Sequence, residues 1–152
     1  MTIITHELQC RATPETLWAC LSDLTLVAQY NTTVSTAKIH NGLASGVGAM
    51  RKCELKPKGT VVERVTLWEE FKALGLEIVE SDWPITRMQW ITRITPNSSG
   101  STLSQRLEYG MKYGPMGALL NAIVMKRNVT GNVGKALEGL IRLAEQRDDK
   151  QF

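Results

Sequence analysis

The order of two hydrophobic periodicities is the feature that most constrains the fold of this chain. Between residues 34 and 113, segments of alternating apolar and polar residues follow one another, which is the period of β-strands. Over residues 115–147, apolar residues recur every three or four positions, which is the period of an α-helix. No long helix separates the strands, so the sheet must be antiparallel.

A helix over residues 115–147 is long compared with the strands. It spans roughly 45–50 Å at 1.5 Å per residue, so it must lie across the sheet and grip it. Its middle, NVTGNVGK at residues 128–135, is poor helix sequence, because each of its two glycines costs up to about 1 kcal/mol relative to alanine. We expect a kink, or a close approach to another element, in this segment.

The N-terminal part predicts one strand followed by two short helices. Residues 2–12 alternate and form a half-buried strand. Thr13 can cap the following helix and Pro14 suits its first position, while TLVAQYN adds a second helical turn before a weak strand at residues 34–40. The prediction is an α+β fold in a single domain covering residues 1–152, ordered over about residues 1–147 and ending in a short polar tail.

The stretch GVGAMRKCELKPKGTVVERVTL, residues 46–67, predicts a hairpin with charged residues among the apolar ones. A turn centred on Lys58 would set Arg51 opposite Val65 and make Arg51 and Glu63 diagonal neighbours. Val62 would then face outward. Counting by twos gives two inward rows, which are Val47, Ala49, Arg51, Cys53 and Leu55 in the first strand and Val61, Glu63, Val65 and Leu67 in the second.

This charged pair has two interpretations. An ion pair removed from water usually gains too little Coulomb energy to offset its desolvation, so a chain seeking only stability would carry aliphatic residues here. In the first interpretation the Arg51 guanidinium reaches an edge and Glu63 caps a bulge, so the pair is structural. In the second, the pair lies in a wet internal cavity and binds a ligand.

Four segments, in this order, resemble the SRPBCC superfamily, whose members share the helix-grip fold. The segments are ATPETLWACLSD, GVGAMRK, GTVVERVTLWEE and YGPMGALLNAIV…LEGLIRLAE. The superfamily groups START lipid-transfer domains, birch-pollen-allergen relatives and the polyketide cyclase/dehydrase branch, and the resemblance covers nearly the whole chain. It implies a curved antiparallel sheet of about seven strands wrapped around the C-terminal helix, with a deep cavity for apolar or amphipathic small molecules.

One residue can be carried over from that resemblance. In the abscisic-acid receptors of this superfamily, a glutamate in a TERL-like strand points into the cavity, and the matching segment here is VVERV, which contains Glu63. The resemblance therefore implies that Glu63 faces the cavity. The lysine and gating-loop motifs of those receptors are missing from this sequence, which argues against a hormone-receptor role.

The candidate ligand-binding residues lie on the inward faces of the predicted elements. Arg51 offers five N–H donors that match a carboxylate, enol or phenolate oxygen. His6 is the candidate acid or base, because histidine ordinarily titrates near neutrality, and the alternative is a satisfied core residue. The other candidates are polar points on the wall or apolar residues of the wall or core, namely Thr92, Gln105, Tyr109, Tyr113, Met88, Trp90, Leu74, Leu76, Leu120 and Ile123.

Charge and motifs exclude several classes of function. The net charge is only +3 with scattered basic residues, so nucleic acid is not an expected partner. Two histidines and three cysteines show no metal-ligand spacing, and GVGAMR lacks the third glycine of a dinucleotide loop. We therefore expect neither a metal nor a cofactor.

The same features indicate where the protein works. MTIITHELQC has no signal-peptide pattern, and the apolar run at residues 116–125 is too short to cross a bilayer. Cys10, Cys20 and Cys53 are odd in number and widely spaced, which suits reduced thiols. We expect a cytoplasmic monomer or homodimer without a membrane span.

Three functions remain open. The favoured one is a carrier or sensor for a hydrophobic small molecule such as a lipid, sterol or polyketide, held by Arg51 and Glu63. The second is a cofactor-independent polyketide cyclase, dehydratase or aromatase, in which His6 or a tyrosine moves the proton. The third is an interaction domain with a collapsed cavity, for which Arg51→Met would be neutral or stabilising.

Overall fold

The computed structural model describes residues 1–150, which contain one seven-stranded sheet. Its spatial order is β1-β7-β6-β5-β4-β3-β2, and every neighbouring pair is antiparallel. The predicted antiparallel sheet is thereby confirmed. The strands are β1 (Thr2–Cys10), β2 (Val34–Ile39), β3 (Met50–Leu55), β4 (Thr60–Glu69), β5 (Ala73–Ser81), β6 (Ile85–Asn97) and β7 (Gly100–Met111).

Helices lie between β1 and β2 and after β7, which confirms the helix-grip fold. The Thr13 hydroxyl accepts a hydrogen bond from the Thr16 backbone N–H at 3.2 Å, and Pro14 is the first helical residue, as predicted. The elements are α1 (Pro14–Ser22), a 3₁₀ turn (Leu24–Leu26), α2 (Val27–Tyr30), α3 (Gly114–Leu120), a π-helical turn (Asn121–Met125) and α4 (Lys126–Asp149).

The C-terminal helix differs from the prediction in two respects. Its irregular turn is at Asn121–Met125, not at residues 128–135, and α4 continues without interruption to Asp149, beyond the expected end at residue 147. The close approach that was the alternative to a kink in residues 128–135 is confirmed at Gly134. A Cβ on Gly134 would lie 3.3 Å from His6 Nε2, and one on Gly139 would lie 2.3 Å from the Tyr30 carbonyl oxygen.

The β3–β4 hairpin is shifted by two residues from the predicted register. The backbone N–H of Leu55 donates to the Gly59 carbonyl at 2.8 Å, which centres the turn on Pro57 instead of Lys58. Arg51 therefore pairs directly with Glu63, and the predicted pairing of Arg51 with Val65 was wrong. Direct opposition brings the two charged side chains closer than a diagonal arrangement would.

Two valines of this hairpin also depart from the predicted alternation. Val47 precedes β3, in the β2–β3 loop, and is exposed. Val62 was expected to face outward and is buried, although its neighbours on β4 keep the predicted alternation: Val61, Glu63 and Val65 are buried, and Arg64 and Thr66 are exposed. The register shift beside it adds a residue to β5, where Val79 has no partner on β4, so β4 itself keeps its period of two at this point.

The start of the C-terminal helix exposes residues that were expected in the wall or core. Leu120 is 40% exposed and Ile123 is 65% exposed, so the prediction of burial was wrong for both. Tyr113, expected on an inner face, is also exposed, because β7 ends before it at Met111. Helical spacing alone predicts an apolar stripe, and it does not determine whether that stripe turns toward the sheet.

Candidate functional site

A cavity of about 300 Å³ lies between the sheet and α4. This volume corresponds to about ten water molecules at about 30 Å³ each and falls at the lower end of small-molecule pockets. Its walls are largely apolar and come from the short helices, the middle strands, β7 and α4, through Leu21, Val27, Leu74, Leu76, Met88, Trp90, Leu107, Val133, Leu137 and Leu140.

The cavity reaches solvent at the end of the sheet where the β3–β4 turn lies. Lys56, Pro57 and Lys58 of this turn line it and are exposed, as is Asn132 of α4. The partly buried Trp83, from the β5–β6 loop, also lines it. The entrance is therefore bordered by a hairpin turn, a loop and a helix.

Arg51 and Glu63 both line this cavity and form a buried ion pair. Their side chains are 5% and 8% exposed, respectively. Arg51 Nε and Nη2 donate to the same oxygen, Glu63 Oε2, at 3.1 and 3.0 Å, and Nη1 donates to the Leu24 carbonyl at 3.0 Å. These bonds use three of the five guanidinium N–H groups and leave Glu63 Oε1 with one long contact to the Cys53 thiol, at 3.9 Å.

Burial and the charges of this pair shift the pKa values of Arg51 and Tyr30. Burial is the largest single influence and opposes the charge of Arg51, but the charge and hydrogen bonding of Glu63, together with Tyr30 and Cys53, outweigh it and raise the pKa of Arg51, so the guanidinium stays charged. Burial also raises the pKa of Tyr30, whose phenol lies beside Arg51 and lines the cavity. The tyrosine is therefore a neutral hydrogen-bonding group at physiological pH.

The Cys53 thiol provides a first test of this environment. Burial, followed by the negative charge of Glu63, raises its pKa to about 12 from 9.0. At pH 8 we expect the thiol to react with iodoacetamide at least about a thousandfold more slowly than in the unfolded chain, because the thiolate is the nucleophile. Peptide-resolved mass spectrometry measures the rate, and Thr66→Cys, exposed on β4, supplies a fast-reacting control.

The sign of the linked pH effect follows from the raised pKa. The stabilisation associated with a protonated Cys53 is complete below about pH 9 and is lost as the pH rises toward 12. We expect the alkaline loss of stability to be smaller in Cys53→Ala than in the wild type. Rapid labelling of native Cys53, or an identical alkaline profile in the variant, would contradict this account.

Gln105 and Thr92 form a hydrogen-bonded polar pair in the otherwise largely apolar wall of the cavity. They face each other on β7 and β6, and Gln105 Nε2 donates to Thr92 Oγ1 at 2.9 Å. Both line the cavity. The predicted inward direction of these side chains is confirmed, but their partner is a side chain and not the backbone.

The structure places His6 and Tyr109 outside the cavity lining. His6 pairs with Gln105 across β1 and β7, and its Nδ1 is buried without a hydrogen-bond partner among residues 1–150. Tyr109 is buried, and its hydroxyl donates to Asn121 Oδ1, while Asn121 Nδ2 donates to Thr2 Oγ1 at 3.0 Å. This cluster ties the π-helical turn to β1 and β7.

Several lining residues were not among the predicted site residues. Tyr30 is at the end of α2, Asn132 and Val133 are on α4, and Lys56 is in the hairpin turn. The sequence offered one signal, the glycine-containing segment at 128–135, which predicted a close approach but not an opening. These residues come together only because α4 crosses the sheet at this point.

The described residues lack two further features. Among residues 1–150, no cluster of three or more histidine, cysteine, aspartate or glutamate side chains could hold a metal ion. No helix in the same part is long and apolar enough to cross a membrane.

Solved structures of other proteins have the same fold as this chain. TTHA0849 from Thermus thermophilus is 19% identical with a TM-score of 0.78, covering 94% of this chain and 97% of that one. XoxI from Bacillus cereus is 14% identical with a TM-score of 0.74, covering 94% and 95%. An uncharacterised protein from Bacillus thuringiensis is 14% identical with a TM-score of 0.73, covering 94% and 98%. At these identities the likeness shows the fold.

Sequence comparison gives the family. A search of curated proteins finds no significant match. The family described as polyketide cyclase/dehydrase and lipid transport matches residues 1–145, which is nearly the whole chain. This match agrees with the helix-grip fold and with a cavity between sheet and helix. The chain therefore belongs to the polyketide cyclase/dehydrase and lipid transport family, within the SRPBCC superfamily.

Proposed function

We propose that this protein is a carrier or sensor that binds a hydrophobic small molecule with a polar, oxygen-bearing end in the cavity. The apolar tail would lie against the leucines and aromatic residues of the wall, and the polar end would meet Arg51 and Glu63. One observation carries this proposal. A buried charged pair lines a largely apolar cavity and keeps unused hydrogen-bonding capacity.

The arrangement of the pair favours a ligand whose polar end is neutral. Glu63 neutralises Arg51 at about 3 Å, so the attraction of Arg51 for a ligand carboxylate is largely cancelled by repulsion from Glu63. The desolvation of that carboxylate would remain without compensation. A hydroxyl or carbonyl instead can accept from a free guanidinium N–H, and a hydroxyl can also donate to Glu63 Oε1.

A carrier or sensor is better supported than a cyclase. Proton transfer is most efficient with a group that titrates near the working pH, and His6, expected with a tyrosine as an alternative to move the proton, is not part of the lining. The pKa values of Tyr30 and Arg51, which do line the cavity, are both raised above their ordinary values and so move away from neutrality. These two groups are suited to hydrogen bonding.

Native mass spectrometry of the purified protein, followed by denaturing extraction, tests whether a small molecule co-purifies. We expect a bound compound with an apolar body and a hydroxyl or carbonyl group. It should be missing from the double variant Arg51→Met/Glu63→Leu. The matched control is Arg64→Met/Glu77→Leu, which removes a pair of the same residue types from the outer face of β4 and β5 and should retain the compound.

A ligand series tests the chemistry of the polar end. We expect 1-decanol to bind at least about tenfold more tightly than decanoate. This ratio corresponds to a binding free energy that is about 1.4 kcal/mol less favourable for the carboxylate. Thermal shift at matched free concentrations measures the order. Equal or tighter binding of decanoate would contradict the neutral polar end, and an empty protein that binds neither compound would contradict the carrier proposal.

A further inference from the structure

The first turns of the C-terminal helix have an amphipathic pattern that is inverted relative to the rest of the protein. The residues that face the protein are small or polar: Gly117 packs on the Lys112 carbonyl, and Asn121 bonds to Thr2 and Tyr109. The large apolar residues instead are exposed, with Met116 at 78% and Leu119 at 62%. We call the exposed set the apolar ridge, and it comprises Tyr113, Met116, Leu119, Leu120, Ile123 and Val124.

The spacing of these residues makes the ridge continuous. Positions 116, 119, 120, 123 and 124 follow the i, i+3, i+4, i+7, i+8 pattern of one helix face. Soluble monomers rarely expose contiguous apolar patches larger than a few hundred Å², and such patches mark interaction sites. The ridge therefore requires a partner, and its surroundings indicate which kind.

The charged residues of the chain segment that carries the ridge are all basic. Between Glu108 and Glu138 the chain contains Lys112, Lys126, Arg127 and Lys135 and no acidic residue. Lys112, Lys126 and Arg127 are exposed at the two ends of the ridge. An apolar helix face flanked by basic residues is the pattern of a helix that lies in the interface of an anionic bilayer.

The ridge begins at the same end of the sheet as the cavity entrance. The Lys112 backbone N–H donates to the Pro84 carbonyl at 3.0 Å, which joins the start of α3 to the β5–β6 loop. Trp83 of that loop lines the cavity, and the exposed lysines of the β3–β4 turn, Lys56 and Lys58, add positive charge there. Asp82, the acidic residue of the loop, accepts a hydrogen bond from the Thr60 backbone N–H at 2.8 Å.

We propose that the apolar ridge docks on the surface of an anionic membrane, with Lys112, Lys126 and Arg127 facing lipid phosphates. A second copy of the chain fits less well. Two ridges brought face to face would set basic residues near basic residues, and the segment offers no carboxylate to pair with them. An anionic bilayer supplies both the apolar layer and the opposite charge. The proposal does not depend on what the cavity binds.

Flotation with large unilamellar vesicles tests this docking. The wild-type protein is mixed with phosphatidylcholine vesicles, with or without one third phosphatidylglycerol, at low and at physiological salt. We expect it to float with the phosphatidylglycerol vesicles, more weakly at the higher salt. Leu119→Gln/Ile123→Gln should abolish flotation, and Lys126→Gln/Arg127→Gln should weaken binding roughly fivefold per charge removed.

Matched controls separate the ridge from general surface effects. Leu43→Gln/Val47→Gln removes two exposed aliphatic side chains from the β2–β3 loop, at the other end of the sheet, and Lys38→Gln/Lys52→Gln removes two exposed lysines from β2 and β3. Both controls should float like the wild type.

Three results would overturn the proposal. In the first, the wild type does not float with phosphatidylglycerol vesicles. In the second, the ridge variants float as well as the control variants. In the third, sedimentation equilibrium without lipid would show a wild-type dimer and a Leu119→Gln/Ile123→Gln monomer, which would mean that a second copy covers the ridge.

Discussion

Arg51→Met should lower the free energy of unfolding by about 3–5 kcal/mol, because it leaves the Glu63 carboxylate buried without its partner. Glu63 Oε2 accepts both of its guanidinium hydrogen bonds from this arginine, and its other oxygen has only the long thiol contact. The carboxylate is almost fully buried, so most of its desolvation penalty remains uncompensated once the guanidinium is gone. Urea denaturation at neutral pH measures the loss.

The double variant Arg51→Met/Glu63→Leu should recover this stability and match or exceed the wild type by up to about 4 kcal/mol. Removing both charges removes both desolvation penalties, and the apolar side chains fill part of the same space. If the double variant is stable and empty while the wild type holds a ligand, the pair serves binding. For the interaction-domain alternative, the expectation that Arg51→Met alone would be neutral or stabilising does not fit a directly paired, buried Glu63. That alternative predicts instead a stable double variant with every function unchanged.

The outer face of the sheet supplies the control for this prediction. Arg64 and Glu77 pair across β4 and β5, but the arginine is about half exposed. Arg64→Met should cost no more than about 1 kcal/mol, because water replaces the lost partner. A cost for Arg51→Met as small as that for Arg64→Met would show that the Glu63 carboxylate is hydrated, and the buried pair would then not exist as described.

Gly139→Ala should destabilise the protein by about 1–3 kcal/mol, even though alanine favours helix. A Cβ at this position would lie 2.3 Å from the Tyr30 carbonyl oxygen and 3.2 Å from its carbon. These atoms belong to the backbone of α2, so they cannot turn aside as the end of a flexible side chain could. Either α4 or α2 must move, and Tyr30 also lines the cavity.

Gly131→Ala, in the same helix, should have the opposite effect. A Cβ there meets no atom within 4 Å, so only the intrinsic helix preference remains, and the variant should be stabilised by about 0.5–1 kcal/mol. Thermal and urea unfolding of both variants give the comparison. A stable Gly139→Ala variant would mean that α2 and α4 are farther apart than the structure places them.

Part of the site was predictable from face assignment. Thr92, Gln105, Met88 and Trp90 alternate along two long strands, and all four line the cavity as the period of two predicts. Glu63 and Arg51 were also placed inward by counting. Face assignment failed at Val62, which is buried on a strand whose neighbouring residues alternate as predicted, and where a residue stood beyond the end of its strand, as at Tyr113.

The sequence by itself determined the kinds of elements, their order and therefore the fold class, because periodicity depends on neighbours two to four residues apart along the chain. Three features depended on the tertiary structure. The hairpin register is that of a turn centred on Pro57, closed by the hydrogen bond between Leu55 and Gly59, and the apolar ridge is exposed on a helix whose Asn121 bonds to Tyr109 and Thr2. The cavity exists because α4 crosses the sheet without filling the space beneath it, which only the packing of distant residues can decide.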